Sequence, residues 1–313
     1  MGTFTSLDDA DLASIATTFA MGSVRSWHPI AAGTINSNFD VTTDRGRWFV
    51  RVNEGKTRED VAWETALCAH LASRGAPVPV PHTGEHRGLF VSVFAWIDGG
   101  HRAPHQVTTG DALAVGRALA QMHVAGDSFP LARRAGIYTW PRIRARFDSF
   151  RASTDPILAP AIAELADHFA WIDAHDRERQ AARRGVIHGD LFRDNVLWDD
   201  HGLRAILDFE QASDGSCTYD LAVTINDWAW DAGPRAEVAR ALVDGYQSIR
   251  ALEPAERAAL PIELRAAAVR FTVTRITDVY LPGISNPEKD FRAYLARARA
   301  WRDGKLGQIV TTV

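Results

Sequence analysis

The chain has 313 residues, enough for two lobes with ample core. Its 46% hydrophobic and 24% charged residues fit an ordinary soluble globular protein, and a formal net charge of −4 argues against nucleic-acid binding, which normally shows a basic face. No run approaches eighteen apolar residues, the acidic N-terminal stretch has no signal-peptide core, and only Cys68 and Cys217 occur; this excludes a membrane span and a disulfide framework and makes a cytoplasmic location the expectation.

Taken in chain order, residues 8–20 read as a short amphipathic helix opened by Asp8 or Asp9. Strands follow: His28 to Ala32 leads into the polar turn Gly33-Thr34-Ile35-Asn36-Ser37, Asn38 to Thr42 is a second strand, and Asp44-Arg45-Gly46 turns it into a third at Trp48–Val52. A helix is expected from about Arg58 to Arg74, with Leu67 and Leu71 on its buried face and Gly75 closing it. Pro77, Pro79 and Pro81 break the pattern before another strand at Leu89–Ile97. Asp98-Gly99-Gly100 has the composition of a hinge, after which the chain becomes largely helical.

Helices are expected at 109–125, with Leu113, Leu119 and Met122 on apolar positions, at 157–175 and at about 219–230. Glu253-Pro254 opens another, and Pro261 begins a new one running to Leu281. The fold class is therefore α+β: a small β-rich N-terminal lobe over 1–97 with one long helix, and a larger, mostly helical lobe over 98–313. A small β-rich lobe, a hinge and a helical lobe describe a bilobal nucleotide-dependent kinase.

Residues 185–209, GVIHGDLFRDNVLWDDHGLRAILDF, carry the chemistry. His188, Asp190 and Asn195 have the spacing H-x-D-x-x-x-x-N, and Asp208 follows thirteen residues later. An apolar run enters the loop, another leaves it, Asp199-Asp200-His201-Gly202 turns the chain, and a third run ends at Asp208. Phosphoryl transfer from ATP needs a carboxylate to orient and deprotonate the attacking hydroxyl, and oxygen ligands for Mg²⁺. Asp190 suits the first task, Asn195 and Asp208 the second. His188 is expected to brace the loop.

The pattern HGDLFRDN…ILDFE resembles the aminoglycoside phosphotransferase-like kinases, which share the protein-kinase-like fold, and within them the homoserine kinases of the ThrB type. AAGTINSNF (31–39), ALAQMHVAGDSFP (118–130), YDLAVTINDW (219–228), GYQSIRALEPAERAALP (245–261) and RFTVTRITD (270–278) extend the resemblance over nearly the whole chain. It implies transfer from ATP with Mg²⁺ to the hydroxyl of homoserine, in threonine biosynthesis. A related small-molecule kinase acting on an antibiotic, a choline-like alcohol or a sugar, and a non-catalytic pseudokinase, are the alternatives.

The N-terminal loop lacks a G-x-G-x-x-G run, so phosphates are expected at backbone N–H groups near Gly33 and at Thr34, Asn36, Ser37 and Asn38. Arg51 stands where the group has a strand lysine and is expected to pair with Glu64. Phe94 to Asp98, with Phe94 and Trp96, is the expected adenine-binding hinge. Asp220 resembles the family's structural aspartate that buttresses the catalytic loop. Homoserine bears a carboxylate and an ammonium, so the acceptor residues are sought at Asn226, Trp228, Arg270, Arg275 and Asp278, with Arg275 and Asp278 on one helix face.

Overall fold

The computed structural model describes residues 5–30 and 36–304, and the chain packs as two compact units. The first comprises residues through Gly100, a short return at 129–131 and the hairpin 197–210; the second comprises 101–128, 132–196 and the chain from Gln211 onward.

The first unit is a five-stranded antiparallel sheet in the order β1-β2-β3-β5-β4, with β1 at Val24–Ile30, β2 at Ser37–Thr43, β3 at Gly46–Val52, β4 at His82–His86 and β5 at Leu89–Ala95. Strand alternation sends Phe39, Val41, Val50, Val52, Val91 and Val93 to one side, where they pack with Leu12 and Ile15 of helix α1 (Asp9–Thr18). Arg51 lies between two of these valines in sequence and so emerges on the other face, in register with Asn38 and Ser92. The β4–β5 turn is Arg87-Gly88, both with positive φ (50° and 77°), the geometry that a two-residue hairpin needs.

Helix α2 (Arg58–Ser73) begins with a reciprocal cap between Thr57 and Asp60 and is followed by Gly75 at φ 83°. Strands β6 (Arg184–Ile187), β7 (Val196–Asp199) and β8 (Gly202–Ile206) come later in the chain. The β7–β8 hairpin joins the first unit through Ile206 N–H donating to Pro77 O (2.7 Å) and a two-way bridge between Gly100 and Trp198.

In the second unit β6 pairs antiparallel with β9 (Ser213–Ser216), which runs straight into α7 (Cys217–Trp228). Helix α3 (Thr109–Gly126) lies tightly against α8 (Ala236–Gln247) because glycines meet backbone: a Cβ on Gly116 would come within 2.0 Å of Leu242 O, and one on Gly245 within 2.2 Å of Leu113 O. Helices α4 (Trp140–Phe150), α5 (Ala159–Ala174), α6 (Asp176–Ala181) and α10 (Phe291–Arg302) pack around α9 (Pro254–Arg275).

Two local expectations are corrected. Leu113 is 40% exposed, whereas Leu119 and Met122 are buried; the buried stripe of α3 runs through Ala112, Val115 and Gly116. Pro261 does not start a helix but lies inside α9, whose α-helical run ends at Arg275 before a π-helical turn over Ile276–Tyr280. A proline there forgoes one helix hydrogen bond, and burial of most of the helix beyond it outweighs that local cost. No helix among the described residues is long and apolar enough to cross a membrane.

Candidate active site

The loop after β6 is built on one buried carboxylate. Asp220, near the start of α7, is fully buried and accepts hydrogen bonds from the backbone N–H of His188 and Gly189 (both 2.7 Å) and from His123 Nε2 (3.0 Å). Burial alone would raise its pKa, but the hydrogen bond from His123, the neighbouring charge and the Gly189 N–H together hold it below the usual carboxylate range. Gly189 adopts φ 79°, a conformation that favours glycine. His188 Nδ1 then accepts from Asp190 N–H (3.3 Å), which matches the bracing role expected for it.

Asp190 follows, half-buried, with its Oδ2 accepting from Gln211 Nε2 at 2.8 Å. Gln211 in turn accepts from Arg270 Nη2 at 2.7 Å, so a chain of donors orients the carboxylate. The Asp190 carbonyl accepts from Phe192 N–H (2.7 Å) and from Asn195 Nδ2 (2.8 Å). With its nitrogen anchored, Asn195 has a fixed amide plane and an Oδ1 that can act as a ligand. Farther along the loop, Arg193 forks onto Asp227 (2.9 and 3.2 Å) and Leu191 O accepts from Trp228 Nε1 (3.1 Å).

Within the first unit a second polar cluster forms beyond β8. Asp208 has φ 63°, which costs a non-glycine residue about 1–2 kcal/mol and marks a site where position is valued over relaxation. Its Oδ1 meets Arg51 Nη1 at 3.2 Å. Lys56 Nζ lies 2.8 Å from Glu64 and 3.8 Å from Glu210, and Glu210 also accepts from Asn36 Nδ2 at 2.7 Å. Burial, and then the charge of Asp208, push the Glu210 carboxyl above its ordinary value.

The comparisons with known proteins match this arrangement. The model of the phosphotransferase enzyme family matches residues 26–259. The chain belongs to that family. A homoserine kinase of Methylobacterium radiotolerans is 35% identical over 292 residues, covering 89% of this chain and 88% of that one. One of Parvibaculum lavamentivorans is 34% identical over 317 residues, covering 96% of each chain. Among solved structures, an amicoumacin kinase in complex with AMP-PNP, Ca²⁺ and Ami superposes with a TM-score of 0.72 at 12% identity, covering 97% and 96% of the two chains. A choline kinase of Cryptosporidium parvum gives 0.71 at 14%, covering 96% and 98%. At those identities the structures establish the protein-kinase-like α+β fold.

Against this family background several expected residues take other roles. Gly33 and Thr34 lie outside the described residues. Asn36, Ser37 and Asn38 are buried and committed to the protein: Asn36 to Glu210 and to Glu54 N–H, Ser37 to Glu54, Asn38 to Arg51. These contacts tie all three side chains into the first unit. Arg51 does not pair with Glu64; Lys56 does, while Arg51 turns to Asp208 and Asn38. The Trp96 backbone N–H donates to Arg47 O (3.0 Å) and its ring lies under the Arg47 guanidinium, while Phe94 packs edge-on to Phe49.

In the second unit, Asn226 spends its amide on Ala222 O, Leu264 O and Trp301 Nε1, and Trp228 is fully buried. Arg275 and Asp278 share no pairing: Arg275 donates to Asp290 O, whereas Asp278 is exposed on the π turn and meets Arg146 at 2.5 Å. Arg270 reaches Asp190 through Gln211 and lies under the Tyr138 ring at 3.9 Å, with no hydrogen-bond partner for its Nε among the described residues. Sequence reasoning missed Lys56 and Gln211. The scarcity of lysine, only three in the chain, was the available signal for Lys56; Gln211 gave none.

Proposed function

We propose that the protein transfers the γ-phosphoryl group of ATP to the hydroxyl of L-homoserine, yielding O-phospho-L-homoserine for threonine biosynthesis. The observation that carries this reading is the end-to-end similarity to homoserine kinases at 34–35% identity. Asp190 orients the homoserine hydroxyl and takes its proton as the new O–P bond forms and the bond to the ADP oxygen breaks. The hydrogen bond from Gln211, backed by Arg270, keeps that carboxylate aimed.

Asn195 and Asp208 are the residues that would hold Mg²⁺, whose chemistry is to neutralise charge on the phosphate oxygens. Their donor set fits: one amide oxygen with its nitrogen tied back, and one carboxylate with an oxygen beyond the Arg51 contact. Among the described residues no cluster of three His, Cys, Asp or Glu could hold a metal, so the ion would rely on phosphate and water for its remaining ligands. Lys56, braced by Glu64, is the amine best prepared to meet the ATP phosphates. For the homoserine carboxylate, Arg270 and Arg275 are cations with no carboxylate partner among the described residues.

The test is steady-state kinetics with Mg·ATP and homoserine, serine, threonine, choline and kanamycin. One methylene separates serine from homoserine, which a fitted pocket converts into about 10–200-fold in kcat/KM. Equal turnover of the two would remove homoserine as the acceptor. Nucleotide binding without turnover of any alcohol would remove the enzyme reading. Asp190→Asn should lower kcat by about 10²–10⁴-fold while leaving nucleotide affinity in place.

A further inference from the structure

Away from the catalytic loop, a cavity of about 460 Å³ is lined by Asp167, Trp171, Pro261, Arg265, Trp301 and Arg302, from helices α5, α9 and α10. Arg265 sets its character. It is only 6% exposed, its Nε donates to His168 Nδ1 at 2.6 Å, and its guanidinium lies 4.3 Å from the Trp171 ring centre. Among the described residues its two Nη atoms have no hydrogen-bond or ion-pair partner.

Elsewhere in this unit the guanidiniums of Arg179, Arg193 and Arg250 each meet a carboxylate, of Glu263, Asp227 and Glu256. Arg265 meets an imidazole instead. That imidazole accepts through Nδ1, so its proton sits on Nε2 and the ring is neutral; burial and then the Arg265 charge push its pKa down to about 4. Asp167, Asp303 and Glu164 act on this charge only through space, without a direct ion pair, and a buried guanidinium whose Nη groups make no hydrogen bond among the described residues is costly; the side of it that opens on the cavity is where an anion would offset the cost.

The rest of the lining narrows the anion. Trp171, Trp301 and Pro261 give apolar walls, and the Trp301 Nε1 is already spent on Asn226 Oδ1. Asp167 stands one helical turn before Trp171, on the same face of α5, and is exposed. Arg302 adds a second guanidinium, itself in contact with Asp303 at 2.9 Å. A cation, a carboxylate and an apolar wall around one small space complement a molecule with an anion, a cation and an aliphatic body.

We infer that this cavity is a binding site for a free α-amino acid, its carboxylate on Arg265, its ammonium toward Asp167 and its side chain against Trp171, Trp301 and Pro261. The site is separate from the catalytic aspartate and needs no hydroxyl on its ligand, which separates it from the acceptor reading above.

Isothermal titration of the full chain with valine, leucine and threonine, beside isovalerate as the carboxylate lacking the ammonium, tests it. Valine or leucine should bind saturably with Kd below about 1 mM. Arg265→Met should weaken that binding at least tenfold while kcat is unchanged. Asp167→Asn, on an exposed side chain, should abolish the preference for valine over isovalerate. No binding of any of the three amino acids at about 10 mM overturns the inference. So does equal affinity in the unmodified protein and both variants, or isovalerate binding as tightly as valine. Should Arg265→Met not fold, an Asp167→Asn protein that keeps the full preference overturns the assignment on its own.

Discussion

Replacing Asp220 by asparagine changes one atom in size and almost everything in electrostatics. The carboxylate accepts two peptide N–H groups and the His123 imidazole at full burial. Each hydrogen bond to a charged acceptor is worth about 1.5–3 kcal/mol. An amide keeps one accepting oxygen, and its NH₂ must face one of those donors. Two contacts are lost or reversed and His123 loses its anion, so the cost is that of breaking a buried pair, about 3–5 kcal/mol. That is a large part of the 5–15 kcal/mol typical of a folded domain.

The same change releases the peptides that set Asp190, and a catalytic group displaced by about 1 Å costs about 10²-fold. Urea denaturation followed by circular dichroism should show the lowered midpoint, and steady-state assays the fall in kcat. The pH dependence has a defined sign. The folded pKa of Asp220 is below its ordinary 3.8, so its contribution is fully present above that value and is lost as pH falls through the lower folded value. The unmodified protein should therefore lose stability faster than Asp220→Asn on acidification below about pH 4. A variant with an unchanged midpoint and a kcat within about twofold would refute the buttress argument.

Three other outcomes follow from the same geometry. Lys56→Met should raise the KM for ATP and, by leaving Glu64 and Glu210 without their amine, lower stability by about 1–3 kcal/mol; unchanged nucleotide kinetics would rule out a phosphate role for Lys56. Gly116→Ala drives a methyl into Leu242 O and should cost about 1–3 kcal/mol in thermal or urea unfolding, whereas Gly110→Ala, whose Cβ meets nothing closer than 3.5 Å, should be near neutral. His168 is held neutral with a folded pKa of about 4 against an ordinary 6.5, so the unfolded chain binds the extra proton. Stability should fall as pH drops from about 6.5 to 4, and His168→Gln should flatten that slope; an identical slope in the variant would place the titration elsewhere.

Much of the framework was legible because it is local. The helices expected from about Arg58 to Arg74 and at 109–125, the glycine after the first of them and the alternation in β2 and β3 are each decided within a few residues. The loop from His188 to Asn195 was legible for a different reason. Its spacing is a motif, and the resemblance supplied Asp220 as its support. Leu113 and Pro261 failed because helical periodicity leaves the width and rotation of the buried stripe open, and because tertiary burial can carry a helix through a proline.

By itself the sequence determined the α+β class and supplied the candidates Asp190 for the base and Asn195 and Asp208 for a metal. It also carried the likeness to homoserine kinases. Only the tertiary structure decided which polar side chains are free to act. It used up Asn36, Ser37, Asn38 and Asn226 in buried hydrogen bonds, moved the Glu64 partner from Arg51 to Lys56, and linked Arg270 through Gln211 to Asp190. It also returned the hairpin bearing Asp208 to the first unit, about a hundred residues after that unit's sheet ends. The physical reason is reach. Backbone preferences act over one or two turns, whereas the partner of a long polar side chain is whichever group the whole fold brings within about 3 Å of it.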